Sequence, residues 1–424
     1  MKKLVSIVCF WLLMMGTTYA SEFDVQGEID ATEEGGVLII PPGHYKGNFT
    51  ITKSIVIKGE EGVKLVALGK EPALRIEQAN NVVIENLAFT AKEKAIVASD
   101  VEGMKLRQLT IENVHTGIHI QRAKNLSLQR LSVTGNDEHY SKKGNGIAIF
   151  KSKDVIVADS KIRKVQDGIY IEEVERIAVH NNSVNNSRYG THFMYTSDAD
   201  VQNNVYLHNV TGLMIMMTEH LQASKNKLAN HQNLNGYGML LYDVEHMSLQ
   251  NNTIVNNRVG IALQKSEIIL IKHNDFQMNQ TAIEGTKLDS ETLVTANQFT
   301  GNILTARSDR DGFRLESNYY DNYFGVDVEG DGIGDIPYVA FSSFGQWMVR
   351  QPVYQYFIES PSVTLLTTLD TQINKTEQTV LVDDKPRVTM QQNVEKASDI
   401  YITQLLVGLL VSISGLWLWR RGMK

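Results

Sequence analysis

Apolar and polar side chains alternate in short runs along this chain, and a glycine introduces each run. Seven such runs begin at Gly117, Gly146, Gly168, Gly190, Gly212, Gly238 and Gly260. In six of these seven runs the first and third residues after glycine are apolar, as in Ile118 and Ile120, whereas the second and fourth are mixed. This period of two is typical of β-strands that bury one face and turn the other outward.

The runs recur at a nearly fixed interval, which indicates a stacked repeat. The glycines are 29, 22, 22, 22, 26 and 22 residues apart, and a second series of asparagines is 22, 22, 26, 22 and 23 apart. That second series comprises Asn182, Asn204, Asn226, Asn252, Asn274 and Asn297. The 26-residue interval falls at the same place in both series, so one coil carries a four-residue insertion.

The period and the β pattern together predict the fold. Strands on successive coils, stacked about 4.8 Å apart, form a right-handed parallel β-helix. A propeller would need a period of about 40 residues, and no coil carries a helical pattern. We assign the recurring asparagines to turns, because Asn tolerates left-handed backbone and its amide can bond to the coils above and below.

The chain divides into six segments on this interpretation. Residues 1–20 have two lysines, a short apolar run and a small-residue end, which is the pattern of a secretory signal peptide. Residues 21–69 form an N-terminal cap and the first coils, with a short polar helix expected at residues 30–34. Residues 70–340 form the regular β-helix. Residues 341–400 are an extension that leads away from the solenoid.

The last two segments predict a membrane anchor. Residues 401–419 contain no charged side chain, and at about 1.5 Å per residue a helix of this length spans a bilayer core. Arg420 and Arg421 begin a basic tail, residues 420–424, that we place in the cytoplasm. The β-helix is therefore expected in the periplasm, anchored in the inner membrane.

Charge and cysteine content limit the classes of function that are open to this chain. The 424-residue chain has a formal net charge of −7 and no basic stripe in its repeats, which argues against nucleic-acid binding. Its single cysteine, Cys9, lies inside the predicted signal peptide. The mature chain would then have neither a disulfide nor a thiolate, and methionine and histidine would be its only soft metal ligands.

Methionine and histidine cluster at the outward positions of the middle coils. We predict that His192 stacks on Met214 and that Met194 stacks on Met216, with Met217 and His220 at the margin. Thioether and imidazole groups together select Cu(I) over hard cations, so these six residues are candidate copper contacts. Methionine also suits protein docking surfaces, and an apolar docking strip without metal affinity is the alternative.

An acidic, glycine-rich loop follows the last regular coil. Asp327, Glu329, Asp331 and Asp335 alternate with glycines over residues 325–335, which resembles half of a calcium-binding loop. The glutamate that would close such a loop is missing. We therefore favour an Asp-Gly turn that ends the helix and keep calcium as the alternative.

Enzymatic functions fit the sequence less well. Parallel β-helices often act on carbohydrates, but such sites need grouped carboxylates with a basic or hydroxyl partner. The outward positions offer Glu172 without an acidic neighbour one coil away. We expect no enzymatic activity and keep a carbohydrate-binding or carbohydrate-modifying protein as the alternative.

Several of these features resemble the NosD family, periplasmic maturation proteins of nitrous oxide reductase. The resemblance rests on the signal peptide, the opening V-L-I-I-P-P-G-H-Y, the 22-residue coils and the G-D-G-I-G-D-I-P-Y segment. It implies that the protein works with an ABC transporter made of a cytoplasmic ATPase and a membrane permease. It also implies copper received from a lipoprotein chaperone and passed to apo-nitrous oxide reductase, whose copper–sulfur cluster is assembled outside the cytoplasm. The resemblance assigns no ligand residue.

Overall fold

The computed structural model describes residues 23–136, 138–288, 291–308, 312–340, 351–357, 360–363, 365–366, 369 and 381–390. The predicted signal peptide and the predicted membrane helix at residues 401–419 lie outside these residues. Among the helices of the described part, none is long and apolar enough to cross a membrane.

The described chain consists almost entirely of short parallel strands. The first nineteen are β1 (Val37–Ile40), β2 (Gly43–Lys46), β3 (Phe49–Ile51), β4 (Val56–Gly59), β5 (Val63–Val66), β6 (Leu74–Glu77), β7 (Val83–Glu85), β8 (Ala88–Thr90), β9 (Lys94–Glu102), β10 (Lys105–Arg107), β11 (Thr110–Val114), β12 (Thr116–Gln129), β13 (Ser132–Gly135), β14 (Ile147–Ala158), β15 (Lys161–Arg163), β16 (Asp167–His180), β17 (Ser183–Asn185), β18 (Tyr189–Met194) and β19 (Ser197–Gln202). The remainder are β20 (Val205–Leu207), β21 (Thr211–Met216), β22 (Glu219–Ser224), β23 (Lys227–Ala229), β24 (Tyr237–Tyr242), β25 (Glu245–Gln250), β26 (Thr253–Val255), β27 (Val259–Gln264), β28 (Glu267–Lys272), β29 (Asp275–Gln277), β30 (Thr281–Thr286), β31 (Leu293–Thr295), β32 (Gln298–Thr300), β33 (Leu304–Ser308), β34 (Arg314–Glu316), β35 (Tyr319–Tyr320), β36 (Tyr338–Val339) and β37 (Val382–Asp383). One α-helix, α1 (Val25–Ala31), precedes them, and two 3₁₀ helices occupy Tyr140–Lys142 and Pro352–Phe357.

Each coil contributes one strand to each of three faces. The glycine face contains β3, β6, the first halves of β9, β12, β14 and β16, and then β18, β21, β24, β27, β30 and β33. The second face runs from β1 through the second halves of β12, β14 and β16 to β34 and β37. The third face is a separate sheet of thirteen strands from β2 to β35. Strands of neighbouring coils pair in parallel, as the sequence predicted.

The glycine repeat has a packing cause. Ile118 and Ile120, and their equivalents on every coil, are fully buried, so the predicted inward positions are confirmed. A Cβ added to Gly168 would lie 2.5 Å from the carbonyl oxygen of Gly190, and the other six glycines of the repeat face the next coil as closely. At these seven positions glycine avoids this contact and lets successive coils approach, and alanine takes the same place at Ala95 and Ala282.

The recurring asparagines form a buried ladder along the solenoid. In one rung, the Nδ2 atom of Asn226 donates to Oδ1 of Asn252 at 3.0 Å, and the backbone N–H of Asn226 donates to the same oxygen at 2.9 Å. The amide also donates to the carbonyl of Val201 at 2.8 Å. The same bonds link Asn182, Asn204, Asn226, Asn252, Asn274, Asn297 and Asn318. The predicted amide bonding between coils is confirmed.

The predicted left-handed backbone of these asparagines was wrong by one residue. The residue before each rung has the positive φ, for example 57° at Asn181 and 56° at Asn203, and the rung itself does not. A left-handed residue turns the chain, and this turn places the following amide inside the solenoid.

A second, shorter ladder runs between the third face and the glycine face. It contains Asn209, Asn257 and Asn279, and in one coil His231 takes the place of asparagine. The backbone N–H of Asn209 donates to Nδ1 of His231 at 3.1 Å. Burial lowers the pKa of His231 to about 4, so this imidazole is neutral at physiological pH. We therefore assign His231 a structural role.

A short helix closes the N-terminal end. In α1, the side chain of Asp24 caps the first turn by accepting from the backbone of Gly27 at 3.1 Å, and Val25 and Ile29 are buried. The predicted cap helix at residues 30–34 was therefore placed too late. Only residues 30–31 of that segment belong to the helix and residues 32–34 follow its end, whereas the buried apolar pair at i and i+4 lies earlier in the chain.

The C-terminal end is closed by a returning segment. Residues 382–383 pair with β34 and β36, so this part of the predicted extension packs on the solenoid instead of leading away from it. Asp383 is fully buried and accepts hydrogen bonds from Asn318, from the hydroxyl of Tyr320 and from the backbone of Ser317. Its carboxylate ends the asparagine ladder, because a carboxylate accepts hydrogen bonds and leaves no further donor to satisfy.

Candidate functional site

The predicted methionine–histidine strip lies on the glycine face, on β18 and β21. His192 is the register partner of Met214, and Met194 is the register partner of Met216. The three methionine side chains are half-buried. The structure therefore brings together four of the six predicted residues, in the predicted stacking order.

The predicted exposure of His192 was wrong. The residue is only 6% exposed, because the rings of Tyr170 and Tyr189 meet the imidazole edge-on at centroid distances of 5.0 and 5.1 Å. Strand alternation fixed the direction of the side chain correctly. It could not predict that aromatic neighbours on the same coil and the coil before would cover it.

Two further predicted residues lie apart from this cluster. Met217 is half-buried at the corner between β21 and β22, with a φ of 46°. His220 is exposed on the second face, beyond that corner. Neither residue shares the environment of His192.

An acidic side chain beneath His192 was not predicted. Asp167 is 1% exposed, and its carboxylate accepts two hydrogen bonds from Arg188, at 2.7 and 2.8 Å. The same carboxylate contacts Nδ1 of His192 at 3.0 Å. Burial alone would raise the pKa of Asp167, but the hydrogen bonds from His192 and Arg188 lower it below its usual value.

The contact with Asp167 fixes one proton of His192. An ionised carboxylate can only accept, so Nδ1 carries a proton, and in the neutral imidazole the lone pair lies on Nε2. Nε2 is buried and has no hydrogen-bond partner. Histidines that ligate metals commonly donate their other ring N–H to a carboxylate, which orients the ring and makes the ligand more basic. The pair of Asp167 and His192 has this arrangement.

A tyrosine hydroxyl contacts one of the thioethers. Tyr170 Oη donates to a carboxylate oxygen of Glu172 at 2.6 Å and lies 3.3 Å from the sulfur of Met194. Burial and the adjacent Glu172 raise the pKa of Tyr170 far above its usual value, so the hydroxyl stays protonated. The thioether of Met194 and the protonated hydroxyl of Tyr170 therefore lie next to each other at one edge of the cluster.

Aromatic rings continue the glycine face toward the N-terminus. His119 and Phe150 lie 5.0 Å apart, and Phe150 and Tyr170 lie 5.5 Å apart, between ring centroids. This aromatic ladder was not predicted. Asp167 was not predicted either, since alternation assigns the residue before each glycine to the inside. The one available signal was the recurrence of polar or aromatic residues at that position, as in Asp167 and Tyr189.

The acidic loop is held by its own backbone. Asp327 accepts from the N–H groups of Gly330 at 2.6 Å and Gly332 at 2.8 Å, and Asp335 accepts from Val328 at 2.7 Å. Asp331 accepts from Ile333 at 2.8 Å. This is the pattern of the Asp-Gly turn that the sequence favoured over calcium. Within the described ranges, no three His, Cys, Asp or Glu side chains are grouped to hold a metal ion.

We expect Asp167→Asn to lower the free energy of unfolding by about 1–3 kcal/mol at neutral pH, because a charged acceptor of three hydrogen bonds is lost. The lowered pKa fixes the sign of the pH dependence. The carboxylate stabilises the fold above its unfolded pKa of about 3.9, and this contribution is lost as pH falls through the lower folded pKa. Urea unfolding along a pH series should show the two proteins converging in acid.

Asp243→Asn is the matched control, since Asp243 is exposed at a left-handed turn where Asn is tolerated. This variant should unfold like the parent at every pH. A constant difference between Asp167→Asn and the parent across the whole series would contradict an ionised Asp167 in the folded protein.

The chain matches two family models. A model described as periplasmic copper-binding protein (NosD) matches residues 129–330. A model of the right-handed β-helix region matches residues 35–206, which agrees with the three-faced solenoid and confirms the predicted right-handed fold.

Two curated relatives span most of the chain. A protein of Stutzerimonas stutzeri named probable ABC transporter binding protein NosD is 23% identical over 356 residues, covering 77% of this chain and 81% of the relative. A Pseudomonas aeruginosa protein of the same name is 22% identical over 383 residues, covering 84% of this chain and 89% of the relative. The resemblance inferred from the coils and the Asp-Gly loop is confirmed.

Among solved structures, the fold is shared with carbohydrate-active β-helices. An alginate lyase of polysaccharide lyase family 6, solved with a trisaccharide, superposes with a TM-score of 0.53 at 12% identity. The match covers 70% of this chain and 81% of the lyase. Similarity at this level of identity establishes the architecture alone.

Proposed function

Residues 129–330 of this chain match the NosD family model, and on that premise we propose that the protein binds and transfers copper in the periplasm. Its cargo would be Cu(I), held transiently by His192 and the neighbouring thioethers and passed on during maturation of nitrous oxide reductase. In this proposal the protein is an accessory of an ABC transporter and catalyses no reaction itself.

One observation carries the proposal. The imidazole of His192 has Nδ1 bound to a buried carboxylate and a buried Nε2 without a partner, beside the register partner Met214. An unpartnered buried polar atom is costly in a folded protein and calls for a water, an ion or another explanation. Nε2 of His231 is also unpartnered, but only that of His192 lies beside the thioethers of the strip. A soft cation that binds nitrogen and sulfur would satisfy it.

The surroundings of His192 suit transient binding better than permanent storage. Thioether ligands are neutral, and Met194 and Met216 are half-buried, so a bound ion would keep contact with the surface. The side chains of Tyr170 and Tyr189 cover the imidazole. Their rotation would open the site for transfer to a partner.

The partners follow from the family and belong to the same proposal. The relatives are named as binding proteins of an ABC transporter. We propose that the transporter ATPase and permease drive release of the cargo. A lipoprotein chaperone would supply the copper and apo-nitrous oxide reductase would receive it. A C-terminal membrane helix at residues 401–419 would keep the solenoid at the inner membrane.

Cu(I) competition against a calibrated chelator tests the proposal on the full-length chain. We expect Met214→Leu/Met216→Leu to weaken Cu(I) binding at least about tenfold, or about 1.4 kcal/mol. Leucine conserves the apolar volume and removes the sulfur, so the fold should be preserved. Adding Asp167→Asn should weaken binding a further 10–100-fold, as expected for loss of a carboxylate that orients a metal ligand.

Met278→Leu is the matched control, because Met278 is exposed on a distant turn. It should bind Cu(I) like the parent. If the double variant keeps the parent affinity but copper loading of the reductase fails, the strip is a docking surface without metal affinity. Unchanged Cu(I) affinity together with unchanged copper loading of the reductase would contradict both a copper site and a docking surface at the strip.

Carbohydrate binding is a second candidate, and the aromatic ladder of His119, Phe150 and Tyr170 favours it. Aromatic faces of this kind suit sugar rings. Against catalysis, both oxygens of Asp167 are engaged by Arg188 and His192, and Glu172 accepts from Tyr170. Titration of the full chain with uronic-acid oligosaccharides would detect this function. A response to Phe150→Ala, with Cu(I) affinity unchanged, would favour it.

A further inference from the structure

We propose that His220 and His246 form a second metal site, separate from the glycine face, for an exchangeable divalent cation of the Cu²⁺, Ni²⁺ or Zn²⁺ class. This site is independent of the proposed Cu(I) site on the glycine face. Its basis is the placement of two imidazoles on the second face.

The two imidazoles occupy equivalent places on successive coils. His220 lies on β22 and His246 on β25, each directly after a glutamate of the register pair Glu219 and Glu245. Both have a left-handed backbone, with φ of 53° and 55°. The rings stack with centroids 5.0 Å apart and planes 20° apart. Equal backbone geometry on neighbouring coils therefore holds the two rings side by side.

Carboxylates adjoin the same nitrogen of both rings. Nδ1 of His246 lies 3.2 Å from Oε1 of Glu245, within hydrogen-bond distance. Nδ1 of His220 lies 4.0 Å from Oδ1 of Asp198, which is the distance of a weak ion pair. A carboxylate at Nδ1 favours the tautomer with the proton on that atom and leaves Nε2 as the donor to a metal. Nε2 would thus be the metal-binding atom of both rings.

The stacked arrangement selects the type of cation. The two rings are half exposed and stand 5.0 Å apart on neighbouring coils, so rotation about their side-chain bonds would bring both Nε2 atoms to adjacent positions around one ion. Cu(I) with two imidazoles alone prefers them on opposite sides, whereas divalent Cu, Ni and Zn accept adjacent nitrogens and complete their shells with water. Carboxylates of Asp198, Glu219 and Glu245 add negative charge nearby, which attracts a cation.

The site has an open side. The two histidines line a cleft of about 470 Å³ whose wall includes Ile268, Leu270 and Leu293. The side chains of His220 and His246 are 56% and 43% exposed, so an ion could enter without rearrangement of the fold. Water or a ligand from a partner would fill the remaining positions. Ready exchange is the expected behaviour of such a site.

Titration of the full-length chain with Cu²⁺, Ni²⁺ and Zn²⁺ at neutral pH tests this proposal. We expect His220→Asn and His246→Asn each to weaken Cu²⁺ binding at least about tenfold. Electron paramagnetic resonance of the bound Cu²⁺ should show two equivalent imidazole nitrogens in the parent and one in either variant. Asparagine tolerates left-handed backbone, so both variants should fold, and their thermal unfolding midpoints check this.

His208→Asn is the matched control, because His208 is also exposed at a left-handed turn, with a φ of 54°. It should bind Cu²⁺ like the parent. Equal Cu²⁺ affinity in all three variants, or a spectrum without paired nitrogens, would overturn the proposal. Cu(I) affinity should be unchanged in His220→Asn and His246→Asn. A parallel loss of Cu(I) and Cu²⁺ there would mean one shared site and would also overturn it.

Discussion

Replacing Asn252 by alanine is expected to lower the free energy of unfolding by about 3–6 kcal/mol, since several buried polar groups lose their partners at about 1–3 kcal/mol each. The side chain of Asn252 accepts from the backbone and the amide of Asn226 at 2.9 and 3.0 Å, and donates to the carbonyl of Ala223 and to Asn274 at 2.9 Å. Urea unfolding of the full-length chain, followed by circular dichroism, measures the loss.

Asn235→Ala makes the same chemical change at an exposed position in the turn that holds the four-residue insertion. It should be nearly neutral. Asn252→Asp should be at least as damaging as the alanine variant, because a carboxylate would oppose the carbonyl of Ala223 and the oxygen of Asn274. A loss below about 1 kcal/mol in Asn252→Ala, the ordinary value of one hydrogen bond, would show that the ladder adds little to stability.

At the end of the ladder, where an aspartate accepts the last hydrogen bonds, we expect replacement of the acid by asparagine to destabilise the fold. Asp383→Asn should lower the free energy of unfolding by about 3–5 kcal/mol, because a buried charged acceptor would become an amide. The carboxylate accepts five hydrogen bonds, at 2.9–3.1 Å, from Ser317, Asn318, Tyr320 and Lys385. Either orientation of the amide would direct its N–H₂ group at other donors.

Hydrogen exchange locates the effect of Asp383→Asn. Amides of the last two coils, residues 293–308 and 312–320, should exchange faster, whereas the middle coils should not change. Asp384→Asn is the control, since Asp384 is exposed beside Asp383. Uniform acceleration along the whole solenoid would contradict a local cap, and unchanged exchange at the C-terminal coils would contradict the role of Asp383 altogether.

Period and alternation were sufficient to predict the solenoid. Inward residues such as Ile118 and Ile120 and the stacking of His192 on Met214 follow from the spacing of the glycines, because one repeat length fixes which residues meet on successive coils. The glycines recur because each of them lies against the backbone of the next coil, and this contact is repeated from coil to coil. Local, repeated interactions are the kind that a single sequence reveals.

The unpredicted features depend on contacts that no repeat encodes. Asp383 caps Asn318 from 65 residues away, across a segment without the glycine and asparagine repeat. Asp167 directly precedes the glycine of its strand, a position that alternation assigns to the inside, so its contact with the outward-pointing His192 of the next coil could not be inferred. The stacked pair of His220 and His246 depends on equal left-handed turns, and propensity rules expect Asn or Gly at such turns.

The asparagine ladder also bears on how proteins of this architecture change length. Each rung receives from the preceding coil the same bonds that it gives to the following one, so a coil can be duplicated or deleted as a unit without leaving a polar group unpaired. Asn226 and Asn252 bond normally although their coil is 26 residues long, because the four extra residues are absorbed outside the ladder. Gene duplication can therefore lengthen such a solenoid in whole coils, while variation within a coil accumulates in its turns.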